Sequence, residues 1–335
     1  KRPYWMYVYD SYDQKIVDQR VAQFRDQTER FLAGQLGDNE FLPLRLQNGL
    51  YIQRLAPMLR IAVPYGLLTS QRLRKIAEIT RRYDKGYAHI STRQNIQLNW
   101  PKLEEVPDIL EELATVQMHA IQTSGNCIRN TTTDQFAGVA TDELEDPRPY
   151  CEIIRQWSTL HPEFAFLPRK FKIAVCGSEH DRAAIHHHDI GLELIPGAGQ
   201  DNDFKVIVGG GLGRTPVIGS VICERLEQKH LLTYLEAILR VYNKHGRRDN
   251  KYKARIKILV RAMGVEGFRQ AVEQEWLAFK DGPTTLTSAE IERAKRAFTE
   301  PDYADLEDCG ALGSQCEKDP IFANWVKRNT FTHRI

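Results

Sequence analysis

Basic side chains occur at unusual places in this sequence, inside or beside segments that otherwise predict buried strands. They are Arg60, Arg93, Arg129, Lys170 and Lys172. On a strand, Lys170 and Lys172 point to one face, and two ammonium groups there repel each other unless they are solvated or an anion lies between them. Taken singly, each residue is explained by a surface charge or a salt bridge. Taken together, the five favour an anion-binding site.

A glycine-rich turn, Gly209, Gly210 and Gly211, follows the largely apolar segment 204–208. Backbone N–H groups in such a turn can approach a cofactor closely. The turn does not carry the dinucleotide fingerprint, because Arg214 or Pro216 occupies the position of the third glycine. Pro216 could instead open a helix at its first position. A tight turn that binds no ligand remains the alternative.

The segment 186–189, His-His-His-Asp, raises the question of a metal site. On a strand only His186 and His188 would share a face, and no further set of side chains has metal-ligand spacing. A surface or hydrogen-bonding role is therefore favoured, and no metal ligands are predicted within this chain. The six cysteines contain no C-x-x-C pair, and a disulfide framework is not expected at this size, which indicates a reducing cytoplasm.

Length and composition exclude several classes of protein. The 335 residues suffice for about two domains. The 46 Lys+Arg and 44 Asp+Glu give a net charge of +2, which does not support a nucleic-acid partner, and no apolar run is long enough to span a membrane. The basic run 246–257 permits three interpretations: a nucleic-acid patch, a solvated helix face, or a cap over a polycarboxylate cofactor.

Hydrophobic periodicity predicts the elements that must position these residues. In the first part we expect an aromatic arm over 1–13. Helices are expected over 14–33, ending at Gly34, from Ser70, and over 106–116, and strands over 58–64 and 87–100. In the second part we expect strands over 170–176, 191–195 and 204–208, and helices over 219–243, 265–281 and 288–298. Residues 325–335 have strand character.

Five stretches, in this order and approximate spacing, resemble the sirohaem-containing sulfite and nitrite reductases. They are 58–66, 91–97, 127–130, 167–172 and 208–212. The resemblance runs from about residue 45 to the end. It implies an α+β fold in which a ferredoxin-like half-domain precedes a mixed α/β sirohaem-binding domain. The expected organisation is an arm and helix over 1–50, the half-domain over 51–121, the sirohaem domain over 122–324 and the start of a second repeat over 325–335.

The resemblance also implies an activity and the residues that carry it. The activity is the six-electron reduction of sulfite to sulfide, or of nitrite to ammonia, at a sirohaem coupled to a 4Fe–4S cluster. The substrate-pocket positions correspond to Arg60, Arg129, Lys170 and Lys172. The positions that would bind the carboxylate-rich cofactor correspond to Arg93, Gln97, Asn130, Arg169, Gly209, Gly210, Gly211, Arg247 and Arg248. Lys172 favours sulfite, because plant-type nitrite enzymes of this family carry Asn there. The electron donor would be a ferredoxin or a flavoprotein.

One family feature is missing from the sequence. The family holds its cluster with C-x5-C followed by C-x3-C, and neither spacing occurs; the nearest pair is Cys309 and Cys316. The cluster ligands are therefore expected outside these residues, which would form the N-terminal part of a longer reductase and fail to reduce sulfite alone. An incomplete half-domain would leave a sheet edge exposed, so pairing between copies is plausible. The alternatives are a non-catalytic tetrapyrrole- or anion-binding module and a nucleic-acid-binding protein that uses 246–257.

Overall fold

The computed structural model describes residues 6–199, 201–299 and 310–330. The first part of the chain is built from helices and an antiparallel four-stranded sheet with strand order β1-β2-β4-β3. Its elements are α1 (Ser11–Leu32), α2 (Asp38–Gln47), β1 (Leu50–Ile52), β2 (Pro57–Ile61), α3 (Ser70–Tyr83), β3 (His89–Ile90), β4 (Ile96–Leu98) and α4 (Val106–Ala114). Helices and strands share one apolar core that includes Phe24, Leu59, Ile79, Leu98 and Leu113.

Local sequence explains the helices that were predicted in this part. Asp10 caps α1, because its carboxylate accepts the N–H groups of Tyr12 and Asp13. Gly34, with φ +74°, follows the C-terminus as expected. Thr69 caps α3 through the N–H of Arg72. The predictions of α1, β2, α3 and α4 are confirmed to within a few residues, whereas α2 was not predicted.

The single strand predicted over 87–100 is wrong. The chain forms β3, then a turn, and then β4, and the two strands pair with each other in antiparallel fashion. The Ser91 hydroxyl accepts the N–H groups of Arg93 and Asn95, and Gln94 has φ +55°. A serine that bonds the backbone in this way favours a turn over a strand, and the turn is where Arg93 is placed.

The second part contains another four-stranded sheet, with order β5-β6-β7-β8. The β5–β6 pair is parallel and the other two pairs are antiparallel. Its elements are α5 (Arg148–Ser158), β5 (Ile173–Cys176), β6 (Ile190–Ile195), β7 (Asp203–Val208), β8 (Ser220–Glu227), α6 (Leu231–His245), α7 (Ile256–Met263), α8 (Val265–Leu277) and α9 (Ser288–Lys295). These elements enclose the largest core, which includes Tyr150, Phe171, Phe204, Tyr234 and Phe268. The predicted α+β fold, with a mixed α/β arrangement in this second part, is confirmed.

Two predictions in this part need correction. The helix predicted over 219–243 begins only at Leu231, because 220–227 forms β8 against β7. Pro216 accordingly opens no helix. The strand predicted over 170–176 begins at Ile173, so Lys170 and Lys172 lie in the extended segment that leads into β5.

The end of the described chain is helical. It contains α10 (Ala311–Lys318) and α11 (Pro320–Asn329), so the strand character predicted for 325–329 is wrong; 331–335 lie outside the described residues, as does Cys309. Within the described part, we find no helix that combines the length and the apolar character needed to cross a bilayer.

Candidate anion and cofactor site

Arg60 and Gln97 meet across the first sheet. They are directly opposed in the register of β2 and β4, and the Gln97 side-chain oxygen accepts Arg60 Nε–H at 2.8 Å and also an Nη2–H. The Tyr51 ring lies 5.3 Å from the guanidinium carbon of Arg60. Burial and the nearby Arg129 lower the pKa of Arg60. Gln97, predicted to contact the cofactor, therefore holds Arg60 in place.

Arg129 joins Arg60 at one backbone carbonyl. Thr123 O accepts from Arg129 Nη1 at 2.8 Å and from Arg60 Nη1 at 3.3 Å. Gly125 O accepts from Arg129 Nη2 at 2.7 Å and from its Nε at 3.1 Å. Asn130, also buried, donates to Val63 O at 2.8 Å and to Arg93 O at 3.1 Å. The segment after the half-domain therefore holds two guanidinium groups side by side, and Asn130 ties it to the Arg93 turn.

Lys170 and Lys172 are half-buried, and within the described residues no hydrogen bond or salt bridge reaches either ammonium group. Burial, followed by Arg129, Arg255, Arg169 and Arg60, lowers the pKa of Lys170 to about 8. Burial, followed by Arg93 and Lys170, lowers the pKa of Lys172 to about 8. The five residues Arg60, Arg93, Arg129, Lys170 and Lys172 therefore form one cluster, which we call the anion cluster. Among the described residues, none of its five cationic groups forms a salt bridge with an acid.

Arg93 is the most constrained member of the anion cluster. Its Nη1 donates to Thr132 Oγ1 at 2.8 Å and to His188 Nε2, and its Nη2 donates to the carbonyls of Asn130 and Ile173. Its Nε is buried and has no partner. Burial lowers the pKa of Arg93; the negative charge of Asp189 opposes that shift, and the positive charges of Arg129 and Arg255 add to it. An orphaned, buried N–H in a positive cluster is suited to bind an anionic ligand.

Asp189 is a buried carboxylate at the centre of this region, and sequence reasoning did not predict its role. It is fully buried and accepts Arg255 Nη2 at 2.7 Å and Arg255 Nε at 2.9 Å. Its second oxygen accepts the backbone N–H of Lys172 at 2.9 Å. Burial raises the pKa of Asp189, while Arg255 and the Lys172 N–H oppose that increase. The only signal in the sequence was its place in the segment 186–189, which had been weighed for metal binding.

The glycine turn packs against the same region. A Cβ atom on Gly210 would lie 2.3 Å from His186 O and 2.6 Å from His188 O, so only glycine fits there. The N–H of Gly209 donates to Asp189 O at 3.1 Å, and the N–H of Gly211 donates to Val217 O at 2.9 Å. These two N–H groups are therefore already engaged within the protein. The predicted contact of the turn with a cofactor stays a prediction.

The basic run 246–257 divides into two halves with different positions. Arg247 is exposed and pairs with Asp249, and Arg248 donates to Phe166 O at 2.9 Å. Arg255 binds Asp189, and Lys257 is buried and donates to Thr215 O at 2.6 Å beside the glycine turn. The half of the run that reaches the site is thus the C-terminal half, with Arg255 and Lys257. The sequence analysis predicted site roles for Arg247 and Arg248 instead.

Arg169 lines a cleft of about 450 Å³ that opens beside Gly125. The cleft has largely apolar walls, which include Leu46, Phe164 and Phe166. Because Gly125 O accepts from Arg129, the cleft adjoins the anion cluster. The predicted cofactor contact of Arg169 stays a prediction.

The described residues do not fit an iron–sulfur cluster. Among them no group of three His, Cys, Asp or Glu side chains could hold a metal ion, and the cysteines at 127, 151, 176, 223 and 316 are all free. His186 does not share a strand face with His188, because 185–187 forms a short 3-10 helix. The anion cluster, by contrast, fits a polyanionic macrocycle or a small oxyanion, since its lysines and the Nε of Arg93 lack partners.

Comparison with known families agrees with this arrangement. Residues 53–116 match the ferredoxin-like half domain of nitrite/sulfite reductases, and residues 124–278 match the nitrite and sulphite reductase 4Fe-4S domain. The chain belongs to the nitrite and sulfite reductase family. Arg60, Arg93 and Gln97 fall in the first matched range, and Arg129, Lys170 and Lys172 fall in the second. The cofactors of this family are sirohaem and a 4Fe–4S cluster.

Individual relatives include enzymes named for either substrate. A sulfite reductase (ferredoxin) of Mycolicibacterium paratuberculosis is 31% identical over 228 residues, 68% of this chain and 41% of that protein. The chloroplastic ferredoxin–nitrite reductase of Arabidopsis thaliana is 33% identical over 225 residues, 65% of this chain and 38% of that protein. The solved structure of the Mycobacterium tuberculosis NirA protein superposes with a TM-score of 0.69 at 26% identity, covering 79% of this chain and 53% of that one. The chain spans about two fifths of the length of the two curated relatives.

Proposed function

We propose that this chain supplies the anion pocket and part of the sirohaem cradle of a sulfite reductase. The observation that carries the proposal is the pair Lys170 and Lys172, two half-buried ammonium groups with no partner among the described residues and with pKa values lowered to about 8. Keeping two such charges together costs free energy unless an anion completes the site. Membership of the nitrite and sulfite reductase family supplies the class of anion.

The residues of the pocket have separate tasks in this proposal. When bound, sirohaem would supply the iron centre and the electron path. Arg60 and Arg129, held at Thr123 O, bind the substrate oxygens and stabilise negative charge as electrons arrive. Lys170 and Lys172 hold protons at pH 7 and release them more readily than exposed lysines do, which suits delivery of protons to oxygens that leave as water. Arg93 is assigned to a cofactor carboxylate.

Sulfite is proposed over nitrite because of Lys172. Two adjacent ammonium groups attract the dianion sulfite more strongly than the monoanion nitrite, because the second negative charge of sulfite adds a second favourable charge–charge interaction. Nitrite is the second candidate, because relatives named as nitrite reductases match the chain at similar identity. The donor is proposed to be a ferredoxin, which the names of these relatives include.

The cluster ligands are proposed to lie outside these 335 residues. Support comes from the absence of a metal-ligand group in 6–199, 201–299 and 310–330 and from the coverage of about two fifths of the relatives. A cytoplasmic location is proposed as well, because the five described cysteines are free. Pairing between copies stays a prediction; the exposed residues of β3, His89 and Ile90, form one edge of the first sheet.

The test is the ratio of kcat/KM for sulfite to that for nitrite, measured in an enzyme that contains this chain with its cofactors loaded. We expect a ratio above one, and we expect Lys172→Asn to lower it at least tenfold. The matched control is Lys205→Asn, on β7 and paired with Glu193, which should leave the ratio unchanged. A wild-type ratio well below one would establish nitrite instead. Sulfite turnover by the isolated chain with reduced methyl viologen would refute the placement of the cluster ligands.

A further inference from the structure

His188 lies in the segment 186–189, which the proposed function leaves without a task. The residue follows a short 3-10 helix, and its backbone is extended at φ −102° and ψ 161°. Its ring is partly buried and reaches Arg93, which is 95 positions away in sequence. The ring therefore joins the second part of the chain to the turn between β3 and β4.

The two ring nitrogens of His188 have fixed and opposite roles. Nδ1 lies 2.7 Å from Ala184 O, and because a carbonyl can only accept, Nδ1 carries the proton. Nε2 is then an unprotonated acceptor, and Arg93 Nη1, which can only donate, bonds to it. Ala184 is in the left-handed region at φ 55° and ψ 42°, an uncommon conformation for alanine. Both hydrogen bonds thus select one tautomer of the neutral ring.

The surroundings of His188 agree with a neutral ring. The charged and titratable groups that act on it are Arg93, Lys172 and His187. Burial, followed by Arg93, lowers the pKa of His188 to about 3. The ring therefore stays an acceptor throughout the physiological range of pH.

The hydrogen bonds of the Arg93 guanidinium show what His188 achieves. An arginine side chain has five N–H donors. The four Nη–H groups of Arg93 go to Thr132 Oγ1, His188 Nε2, Asn130 O and Ile173 O. Nε–H alone is buried and left without a partner. Because the other four donors are anchored, the guanidinium cannot rotate, and Nε–H keeps one direction.

We propose that His188 is a positioning residue that holds the guanidinium of Arg93 so that its Nε–H remains the donor offered to an anionic group of the cofactor. The inference rests on the proposed function for the identity of that group. The neighbouring Asp189 has a parallel task, because its side chain fixes Arg255 and the backbone N–H of Lys172. His188 and Asp189 together anchor both sides of the anion cluster.

The first test needs no cofactor. Long-range nitrogen–proton NMR of the chain should show His188 as the Nδ1–H tautomer, and the ring should remain neutral from pH 8 to pH 5. Four slowly exchanging Nη protons of Arg93 should be visible at low temperature. An Nε2–H tautomer, or protonation of the ring above pH 5, would overturn the proposal whatever the chain binds.

The second test uses two variants that separate the two ring nitrogens. Gln places its side-chain oxygen near the position of Nε2, whereas Asn ends near the position of Nδ1. In absorbance titrations of the full chain with sirohaem, His188→Asn should weaken binding about tenfold, as loss of an orienting partner does, and His188→Gln should stay within about twofold of wild type. The matched control is His187→Asn, at the adjacent position, which should bind as wild type does.

The outcomes separate the two proposals. Equal binding by His188→Asn and wild type, or equal losses in the Asn and Gln variants, would overturn the role of His188. If the wild-type chain takes up no sirohaem, the proposed function is contradicted instead. The role of His188 is then still decided by NMR. It requires the Nδ1–H tautomer, loss of the slowly exchanging Arg93 protons in His188→Asn and their retention in His188→Gln. The urea midpoints of unfolding of His188→Asn and His188→Gln should agree with each other. If the ring had a merely structural role, the variant that binds sirohaem less well should also be the less stable one.

Discussion

The anion cluster and a second cluster around Arg155 both place arginine side chains where the half-domain meets the second sheet. Arg155, on α5, donates to Glu152 at 2.6 and 2.8 Å. The same carboxylate accepts the Tyr65 hydroxyl at 3.2 Å, and the Tyr7 ring lies 5.6 Å from the Arg155 guanidinium carbon. We call Arg155, Glu152 and Tyr65 the compensated cluster, because its positive charge, on Arg155, is paired with an acid.

The two clusters respond to burial in opposite ways. Burial alone would lower the pKa of Arg155, but Glu152 outweighs it and the net shift is upward. In the anion cluster burial also lowers the pKa values, and the neighbouring charges are mostly positive, so the shift of Lys170 and of Lys172 remains downward. Asp189, the one carboxylate among the described residues that touches the anion cluster, is already bound to Arg255. The difference supports our proposal that a ligand supplies the missing negative charge of the anion cluster.

The largest effect is expected from breaking the compensated cluster. Glu152→Gln would remove the acid that Arg155 contacts at 2.6 and 2.8 Å and leave the longer pair with Asp13 at 3.9 Å. Removal of one partner of a buried ion pair costs about 3–5 kcal/mol of unfolding free energy. Urea unfolding measures it. The control is Glu266→Gln, in an exposed pair with Arg269, which should leave the midpoint unchanged. Lys172→Gln, in the anion cluster, should keep or raise the stability, and equal losses at Glu152 and Lys172 would contradict the comparison.

A second effect, which depends on pH, should distinguish the anion cluster in the ligand-free chain. Between pH 8 and about 10.4, the usual lysine value, Lys170 and Lys172 bind fewer protons in the folded chain than in the unfolded chain. The unfolding free energy should therefore rise with pH in this window, and below pH 8 the destabilisation is fully present. Urea unfolding from pH 7 to pH 10.5 checks this.

Anion binding should show the opposite trend with pH. Affinity for sulfate, a dianion across this range, should fall as pH rises through about 8, because the lysines lose their charge. Calorimetric titration measures it, and the double variant Lys170→Gln, Lys172→Gln should lose most of both pH dependences. An affinity for sulfate that does not change between pH 7 and pH 10 would show that the lysines do not form the anion site.

Local spacing predicted residue types and many elements but not the partners of the site. The positions Arg60, Arg93, Arg129, Lys170 and Lys172 were found because basic residues in apolar strand contexts are rare. Their anchors are far away in sequence: Asp189 and Arg255 are 66 positions apart, and Arg93 and His188 are 95 apart. No periodicity encodes such pairs, so only the folded chain reveals them.

The errors in the elements also have a local cause. In 220–227, the buried residues Ile222 and Leu226 are four positions apart, as on one face of a helix. The segment nevertheless forms a strand, because it pairs with β7. Around 91–95, the Ser91 hydroxyl supplies two backbone hydrogen bonds that an alternating pattern does not reveal. Tertiary pairing and side-chain-to-backbone bonds thus override a weak periodicity.

The smallest effect on sirohaem binding is expected from the exposed half of the basic run 246–257. Here a paired and an unpaired arginine lie next to each other in sequence. Arg247 is neutralised by Asp249, whereas Arg248 donates to Phe166 O and to Asn243 and has no acidic partner among the described residues. We expect an arginine that has no acidic partner to attract the carboxylates of sirohaem. Arg248→Gln should then weaken sirohaem binding about threefold at low salt, and Arg247→Gln should weaken it less. Asp249→Asn, which frees Arg247, should strengthen binding slightly. All three effects should vanish at high salt, because exposed charges are screened. A loss with Arg247→Gln that exceeds the loss with Arg248→Gln, or that persists in high salt, would mean that direct contact rather than uncompensated charge determines binding at this loop.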